Sequence, residues 1–587
     1  MSSDLLLPFH HRYSILTSSN MLTIFASLLA VASAAPRHHR PAGYGSNGGA
    51  PTVQVKNGTI SGVHSSTYNE DYFLGIPYAQ PPVNGLRFKN PQSLNSTYNS
   101  TYEATEYANS CVGYGGDETG YPLSEDCLYL NVVRPSGYEN EELPIGLWIH
   151  GGGLYMGGSR DARYNLSFIV ENSVKIGKPI IGVSINYRLS GWGLIASEQV
   201  SGSGDTNIGL RDQRLALHWV QENIGAFGGD PSKVTIWGES AGAASVGWHL
   251  LAYNGRDDGL FRAGIMQSGN PVAYSSYRSV IDYQPQYDAL VNATGCGNTI
   301  DTLECLRYAP YEKVNAFFNS TGGSGWNPIV DGDFIARWGS LQLEDGDFVR
   351  VPIISGANTD EGTAFGPRGI NSEEDFAETI SDSDRNAYLP ERYVSDVLEA
   401  YPNTPDYFIP PVEEIGDYTY PNMSQYRRSA AYWGDVVMIA NRRGACEAWT
   451  AHGVDAYSYR FNTIPNGIPF TTGVTHFQEV AFVFDNTQGL GYGELWGTVN
   501  PYANKSESYQ DLGMLMSSSW ASFIHDLDPN GYKGRDAETP DWPVYSNEKP
   551  ENIVFDTNVT GVAFAEPDTW RKEGIQFILD HALAYKR

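Results

Sequence analysis

The sequence predicts an α/β fold, a central and mostly parallel sheet flanked by helices, on three observations. Short apolar runs bounded by turn residues recur along the chain, helical patterns lie between them, and one run leads through Gly-x-Ser-x-Gly into a row of small, helix-compatible residues. Runs that are apolar throughout, rather than alternating, suit strands covered on both faces. The chain has no internal repeat.

In order, the runs are LPIGLWIH (143–150), PIIGVSINY (179–187), KVTIWG (233–238), VPIISG (351–356) and AYSYRF (456–461). Before the third, LRDQRLALHWVQENI places Leu215, Ala216, Trp219 and Val220 at i, i+1, i+4 and i+5, the stripe of an amphipathic helix. VTIWGESAGAAS (234–245) predicts a strand over 234–237 and a helix over 241–251. Gly238 and Gly242 remove the side chains that would clash in so sharp a turn, which leaves the Ser240 hydroxyl standing at the end of the sheet.

The length of 587 residues by itself suggests about three or four domains. With 67 acidic against 38 basic residues the net charge is −29, which argues against nucleic acid or an anionic membrane surface as partner. Near the N-terminus, MLTIFASLLAVASAA has an apolar core too short to span a bilayer and ends in Ala32-Ser33-Ala34, a small-residue cleavage pattern. Residues 1–34 are therefore expected to be a secretory signal region, with Met21 as a candidate start. Residues 35–51, rich in Gly and Pro, are expected to form a flexible tail whose His38 and His39 are not metal ligands. Nine Asn-x-Ser/Thr sequons agree with secretion. No apolar stretch follows FILDHALAYKR, so no membrane anchor is expected.

Five cysteines in a secreted chain imply two disulfides and one thiol. The close pairs are Cys111 with Cys127 and Cys296 with Cys305, each closing a short loop and contributing on the order of 3 kcal/mol. Cys446, in a helical context, is then a buried free thiol.

In open α/β sheets ligands sit beyond the carboxyl ends of the strands. There Gly151-Gly152-Gly153 follows the first run, and glycines let backbone N–H groups face a cavity where an oxyanion develops. His-Gly-Gly-Gly combined with a Gly-x-Ser-x-Gly elbow is the α/β-hydrolase combination, although either motif alone is equally a glycine turn. A serine nucleophile needs a base, and the base needs an acid that holds its tautomer, in the chain order Ser, acid, His. Asp360 and Glu361 follow the fourth run, and spacing does not choose between them. Of the histidines beyond, His476 is the one in a glycine-containing loop before an aromatic run. His150 reads as a loop-ordering residue, and His218 and His249 read as helix-face residues.

From VKNGTISGVHSSTYNEDYFLGIPYAQPPVNGLRF through SEDCLYLNVVRP, WIHGGG, NIGLRDQRLALHWVQENIGAFGGDPSKVTIWGESAGAASV and ANTDEGTAFG to GVTHFQEVAFVF, the chain resembles the type-B carboxylesterase/lipase family, the cholinesterase-like α/β-hydrolases. The resemblance spans nearly everything after about residue 52 and implies one large domain over 52–587 in place of the length-based count. It implies Ser240 as nucleophile, Glu361 as the acid and His476 as the base. The N–H groups of Gly152, Gly153 and Ala241 are the implied oxyanion donors. Ser245 is implied as a hydrogen bonder near the acid, and both disulfides match bridged positions. No metal or organic cofactor is implied; DLDPNGYKGRDAE (526–538) starts like a calcium loop but has Ala537 at its twelfth position.

Three departures shape the expected substrate. The segment VGYGGDETGYPLSED between Cys111 and Cys127 is shorter than the flap of interfacially activated lipases, it holds no tryptophan to face a choline, and Leu154 follows the glycines where an aromatic is common. The expectation is a secreted serine carboxylesterase acting on short-to-medium acyl esters, with rate rising near pH 6–7 as an ordinary histidine deprotonates. The alternatives are a lipase or sterol esterase on long-chain esters, and a non-catalytic, cholinesterase-like binding or adhesion protein.

Overall fold

The five apolar runs all become strands of one sheet, and an unpredicted strand, Ala263–Gln267, lies between the third and the fourth. The structure is a computed structural model that describes residues 49–587 except 386, 412–415, 417, 419, 422 and 494–497. The expected leader and all but the last three residues of the expected tail lie outside the described residues. Eleven strands, β1 (Val63–Ser65), β2 (Glu70–Pro77), β3 (Tyr129–Pro135), β4 (Leu143–Ile149), β5 (Ile181–Ile185), β6 (Gly229–Glu239), β7 (Ala263–Gln267), β8 (Ile353–Asn358), β9 (Ala456–Phe461), β10 (Glu551–Phe555) and β11 (Ala563–Pro567), follow the order β11-β10-β9-β8-β7-β6-β4-β5-β3-β2-β1. From β5 to β10 neighbouring strands run parallel, whereas β1, β2 and β3 at one edge and β11 at the other pair antiparallel.

Side chains of a strand alternate between the two faces, and both faces here are covered. Ile145, Leu147, Ile149, Val234 and Ile236 belong to a core shared with α2 (Ile208–Asn223) and α3 (Ala241–Gly255). Trp148 and Trp237 belong to the opposite core, with α1 (Leu166–Lys175) and α6 (Glu507–Asp526). Gly146 lets α6 approach, since a Cβ there would lie 2.9 Å from Ile524 Cδ1. Under α6 the Trp148 and Trp237 rings sit 4.7 Å apart and each packs on Phe484, at 5.0 and 4.8 Å.

The predicted α2 stripe is wider than expected. Asp212, Gln213 and Leu217 are buried together with Ala216, Trp219 and Val220, whereas the predicted Leu215 is only partly buried; Arg188 brings its guanidinium and backbone N–H to Asp212, and Ser245 and His249 meet Gln213. The regular part of α3 ends at Leu251, before a kink at 252–254. Beyond β8, α4 (Tyr426–Gly434) runs through a π-helical turn (Asp435–Ile439) into α5 (Ala440–Ala451), and α7 (Lys572–Asp580) packs on α5. Disulfides join Cys111 to Cys127 and Cys296 to Cys305, while Cys446 is free and fully buried.

Because Trp237 fills the space between the sheet and α6, Trp237→Ala is expected to lower unfolding stability by about 3–5 kcal/mol. Urea titration measures this, and an unchanged midpoint would show that the aromatic cluster does not hold α6 to the sheet.

Candidate functional site

Parallel register brings the ends of β6, β7 and β8 level. Glu239 pairs with Gln267 and Gln267 with Gly356, so Ser240 and Ser268 lie level with the last residues of β8, which lead into the 359–361 turn. At Ser240 the backbone turns into α3 with φ 56° and ψ −124°, held by its N–H on Gln267 O at 2.8 Å and by its own carbonyl on Ala244 N at 2.9 Å. Such a conformation is costly for a residue with a side chain and persists only where its surroundings impose it. The two glycines make it possible: a Cβ on Gly242 would meet Ile149 O at 2.0 Å, and one on Gly238 would meet the Gly242 backbone at 2.5 Å.

The glycine triplet after β4 lies against this turn. A Cβ on Gly151 would stand 2.7 Å from Glu239 O and 3.1 Å from Ser240 Cβ. Gly152 (φ 91°), Gly153 (φ 63°) and Leu154 (φ 62°) turn the chain away in left-handed conformations. Ala241 opens α3, so its N–H is among the first donors of a helix that have no intrahelical acceptor. Leu154 is buried in the core, and the aromatic of this turn is the exposed Tyr155 beside it.

His476 reaches Ser240 from the loop after β9. Its Nε2 is 2.8 Å from Ser240 Oγ and its Nδ1 is 2.7 Å from Glu361 Oε2. The neighbouring acids divide the work: the Asp360 carboxylate accepts from Val474 N at 2.7 Å and so pins the histidine loop, while the Glu361 carboxylate meets the imidazole. Asn358 adds a further tie by donating from Nδ2 to Thr475 O at 2.8 Å. Glu361 is fully buried and accepts on Oε1 from Asn358 N and from the Ser268 hydroxyl.

The hydroxyl on Glu361 is thus Ser268's. Ser245 is buried one turn into α3, where it donates to Ala241 O at 2.8 Å and accepts from Gln213 Nε2 at 3.0 Å. Sequence reasoning missed Ser268 because its role depends on strand register, and the signal that could have found it is its place one residue past the end of β7. Glu239 and Glu479 were missed as well. Glu239 Oε1 lies 3.3 Å from His476 Nε2, and the Glu479 carboxylate is held by Gln267 Nε2 at 3.2 Å and Asn358 Nδ2 at 2.8 Å. Burial pushes both of their pKa values up, that of Glu239 far above the ordinary carboxyl range. Burial pulls the His476 pKa down, but the Glu361 carboxylate at Nδ1 outweighs it and raises the imidazole above its ordinary value.

Against the stretch that follows the glycine triplet lies the disulfide-closed 111–127 segment. It is tethered by Tyr114 N to Tyr155 O at 2.7 Å, by Gly157 N to Glu118 Oε1 at 2.8 Å and by Asp117 to Arg163 at 2.6 Å. Burial lifts Glu118 to about 8. His150 is buried, stacked on Tyr187 at 4.4 Å and lowered to about 4 by burial. His218 is exposed on α2, and His249 is buried on α3 against Gln213. Among the described residues no group of three or more His, Cys, Asp or Glu side chains is arranged to hold a metal ion, and no helix is long and apolar enough to cross a membrane.

A mostly parallel, helix-covered sheet with a serine elbow at one strand end is the architecture of an α/β-hydrolase. Residues 49–571 match the carboxylesterase family, and the chain belongs to it. Secreted lipase 1 of Botryotinia fuckeliana is 34% identical over 537 residues, 85% of this chain and 88% of that protein. Lipase 4 of Diutina rugosa is 33% identical over 563 residues, 89% and 95% of the two chains. The crystal structure of Aspergillus niger EstA superposes with a TM-score of 0.77 at 28% identity, covering 92% of this chain and 99% of that one. The protein is a carboxylic ester hydrolase.

Removing the Ser268 hydroxyl leaves a buried carboxylate short of one donor, so Ser268→Ala is expected to cost about 1–3 kcal/mol of stability. Chemical denaturation reads this, with Ser245→Ala, whose hydroxyl does not serve the carboxylate, as the comparison.

Proposed function

We propose that this hydrolase works through Ser240, His476 and Glu361 by way of an acyl-enzyme, and that its substrates are soluble esters with short-to-medium acyl chains. The observation that carries the reading is the continuous run of contacts from Ser240 Oγ through the imidazole to the buried Glu361 carboxylate. His476 takes the hydroxyl proton as Ser240 Oγ attacks the ester carbonyl, and the N–H groups of Gly152, Gly153 and Ala241 receive the oxyanion. The alcohol leaves with the proton that His476 returns, and water repeats the sequence on the acyl-enzyme. Glu361 stays ionised and holds the imidazole with its Nδ1 proton inward.

The proposed catalytic domain is 52–587, preceded by a cleaved secretory leader over 1–34. Secretion is supported by the leader-like sequence and by the secreted relative. The preference for soluble esters is supported by the short 111–127 segment tethered beside the glycine turn, which holds few large apolar residues to offer an oil interface. The relatives named as lipases favour a second reading, hydrolysis of long-chain esters. Rates on p-nitrophenyl esters from acetate to palmitate, and on tributyrin across its solubility limit, separate the two. A fall in rate with chain length and no jump at the limit are expected, and a jump would make the protein a lipase. In the same assay Ser240→Ala is expected to lower kcat by about 10⁴- to 10⁶-fold. Retained activity would remove Ser240 from the mechanism.

The base must be unprotonated to accept the serine proton, so activity is lost as pH falls below its pKa. With His476 raised by Glu361, kcat/KM is expected to climb about tenfold per pH unit through the neutral range and to level above the pH 6–7 of an ordinary imidazole. A profile flat from pH 5 to 9 would exclude a histidine base.

A further inference from the structure

Directly after His476, Phe477 has φ 76°, a left-handed conformation that a residue with a side chain holds only where its surroundings impose it. The groups against its ring come from the stretch that begins with the glycine triplet. The Arg163 guanidinium lies over the Phe477 ring, 4.8 Å from its centroid, and the Tyr164 ring meets Phe477 edge-on at 6.1 Å. Tyr164 in turn packs on Trp148 of β4 at 5.1 Å, so the half-buried Phe477 ring rests, through Tyr164, on the sheet.

Arg163 is itself held from three stretches of chain. It is buried, and its backbone N–H and Nε donate to Asp161 Oδ1 and Oδ2, each at 2.9 Å. Its Nη2 donates to Asp117 of the disulfide-closed segment at 2.6 Å. Gly491, with φ 79°, lets a third stretch close over the arginine stem, since a Cβ there would stand 2.8 Å from Arg163 Cγ. A planar guanidinium fixed at its edge by two carboxylates keeps its face free for an aromatic ring.

Position matters at this histidine because Nε2 has two oxygen neighbours, Ser240 Oγ at 2.8 Å and Glu239 Oε1 at 3.3 Å. Upstream of the ring, Asp360 holds Val474 N and Asn358 holds Thr475 O; downstream, Phe477 comes first, under Arg163. A Phe477 that relaxed out of the left-handed region would turn the chain at the base of the imidazole. A small swing there would carry Nε2 off the serine and toward the glutamate. We infer that Arg163 is a positioning residue that keeps the His476 imidazole on Ser240 by clamping the Phe477 ring, which rests on the reading of His476 as the base. The same side chain then joins the disulfide-closed segment, the stretch of the proposed oxyanion donors and the histidine loop.

Two variants test the clamp on p-nitrophenyl butyrate. Phe477→Leu removes the ring without touching a charge, and Arg163→Met removes the guanidinium but keeps an apolar stem. Each is expected to lower kcat about 10- to 100-fold while KM changes less than about threefold. Because the two side chains act as one unit, the double variant is expected to lose no more than the worse single variant. A merely structural pair would lower Tm but leave kcat per folded molecule unchanged. That result in either variant overturns the inference, and so do losses that multiply in the double variant. Should one single variant fail to fold, the kcat of the other decides. Ser240→Ala in the same assay separates the two readings: if it is inactive while Phe477→Leu turns over like the wild type, the clamp alone falls. Full activity in Ser240→Ala removes the proposed mechanism and the clamp with it.

Discussion

The sharp turn at Ser240 is the constraint on which the rest of the site depends. A serine with φ 56° and ψ −124° between a buried strand and a buried helix is held only because every neighbour fits it. β4 ends with Ile149 O where a Gly242 Cβ would be, and Gly151 packs where any side chain would strike Glu239 or Ser240. The glycine triplet and the serine elbow are thus two halves of one close contact between β4 and β6. Their motifs stand some ninety residues apart in sequence and are informative together because the contact requires both.

Around that turn the electrostatics are set by burial. Glu239, Glu361 and Glu479 are all buried, and three full negative charges in so small a volume would repel one another strongly. The raised pKa values of Glu239 and Glu479 mean that the environment resists charging them, whereas Glu361 has two donors on one oxygen and the imidazole on the other. Placement, not residue type, therefore decides which glutamate meets the Nδ1 of His476. The same logic separates the adjacent acids 360 and 361. Spacing left them equivalent, yet one carboxylate points to a backbone N–H of the histidine loop and the other to the ring.

Much of the fold was legible because its central strands are buried on both faces. The run at 456–461 is the strand as predicted, and the other four differ from theirs by a few residues at the ends. β1, β2, β3, β7, β10 and β11 were not read: β1 and β11 are edges partly open to solvent, whereas β2, β3, β7 and β10 are buried but carry charged, polar or glycine residues that interrupt the continuous apolar signature. Of the site, the residues carried by motifs came together as a group, while those set by register did not come to light. Ser268 meets Glu361 only because β7 and β8 run level, and Glu479 meets Asn358 only because the histidine loop folds back on the end of β8. Ser245 shows the reverse error. A serine one turn into α3 is near the elbow in sequence, but the helix directs its hydroxyl to Ala241 O and Gln213.

The disulfide-closed 111–127 segment connects this geometry to the proposed substrate choice. A lid that opens at an oil surface must leave without disturbing the machinery beneath it. Here the 111–127 segment is fastened to Tyr155, Gly157 and Arg163, residues of the same stretch that begins with the glycine triplet. Lifting it would break a buried carboxyl contact at Glu118 and an ion pair at Asp117, and would pull on the turn proposed to supply oxyanion donors. The Cys111–Cys127 disulfide closes the segment at its base and shortens the path it could travel. A segment so fastened supports the proposed preference for esters that arrive singly from solution.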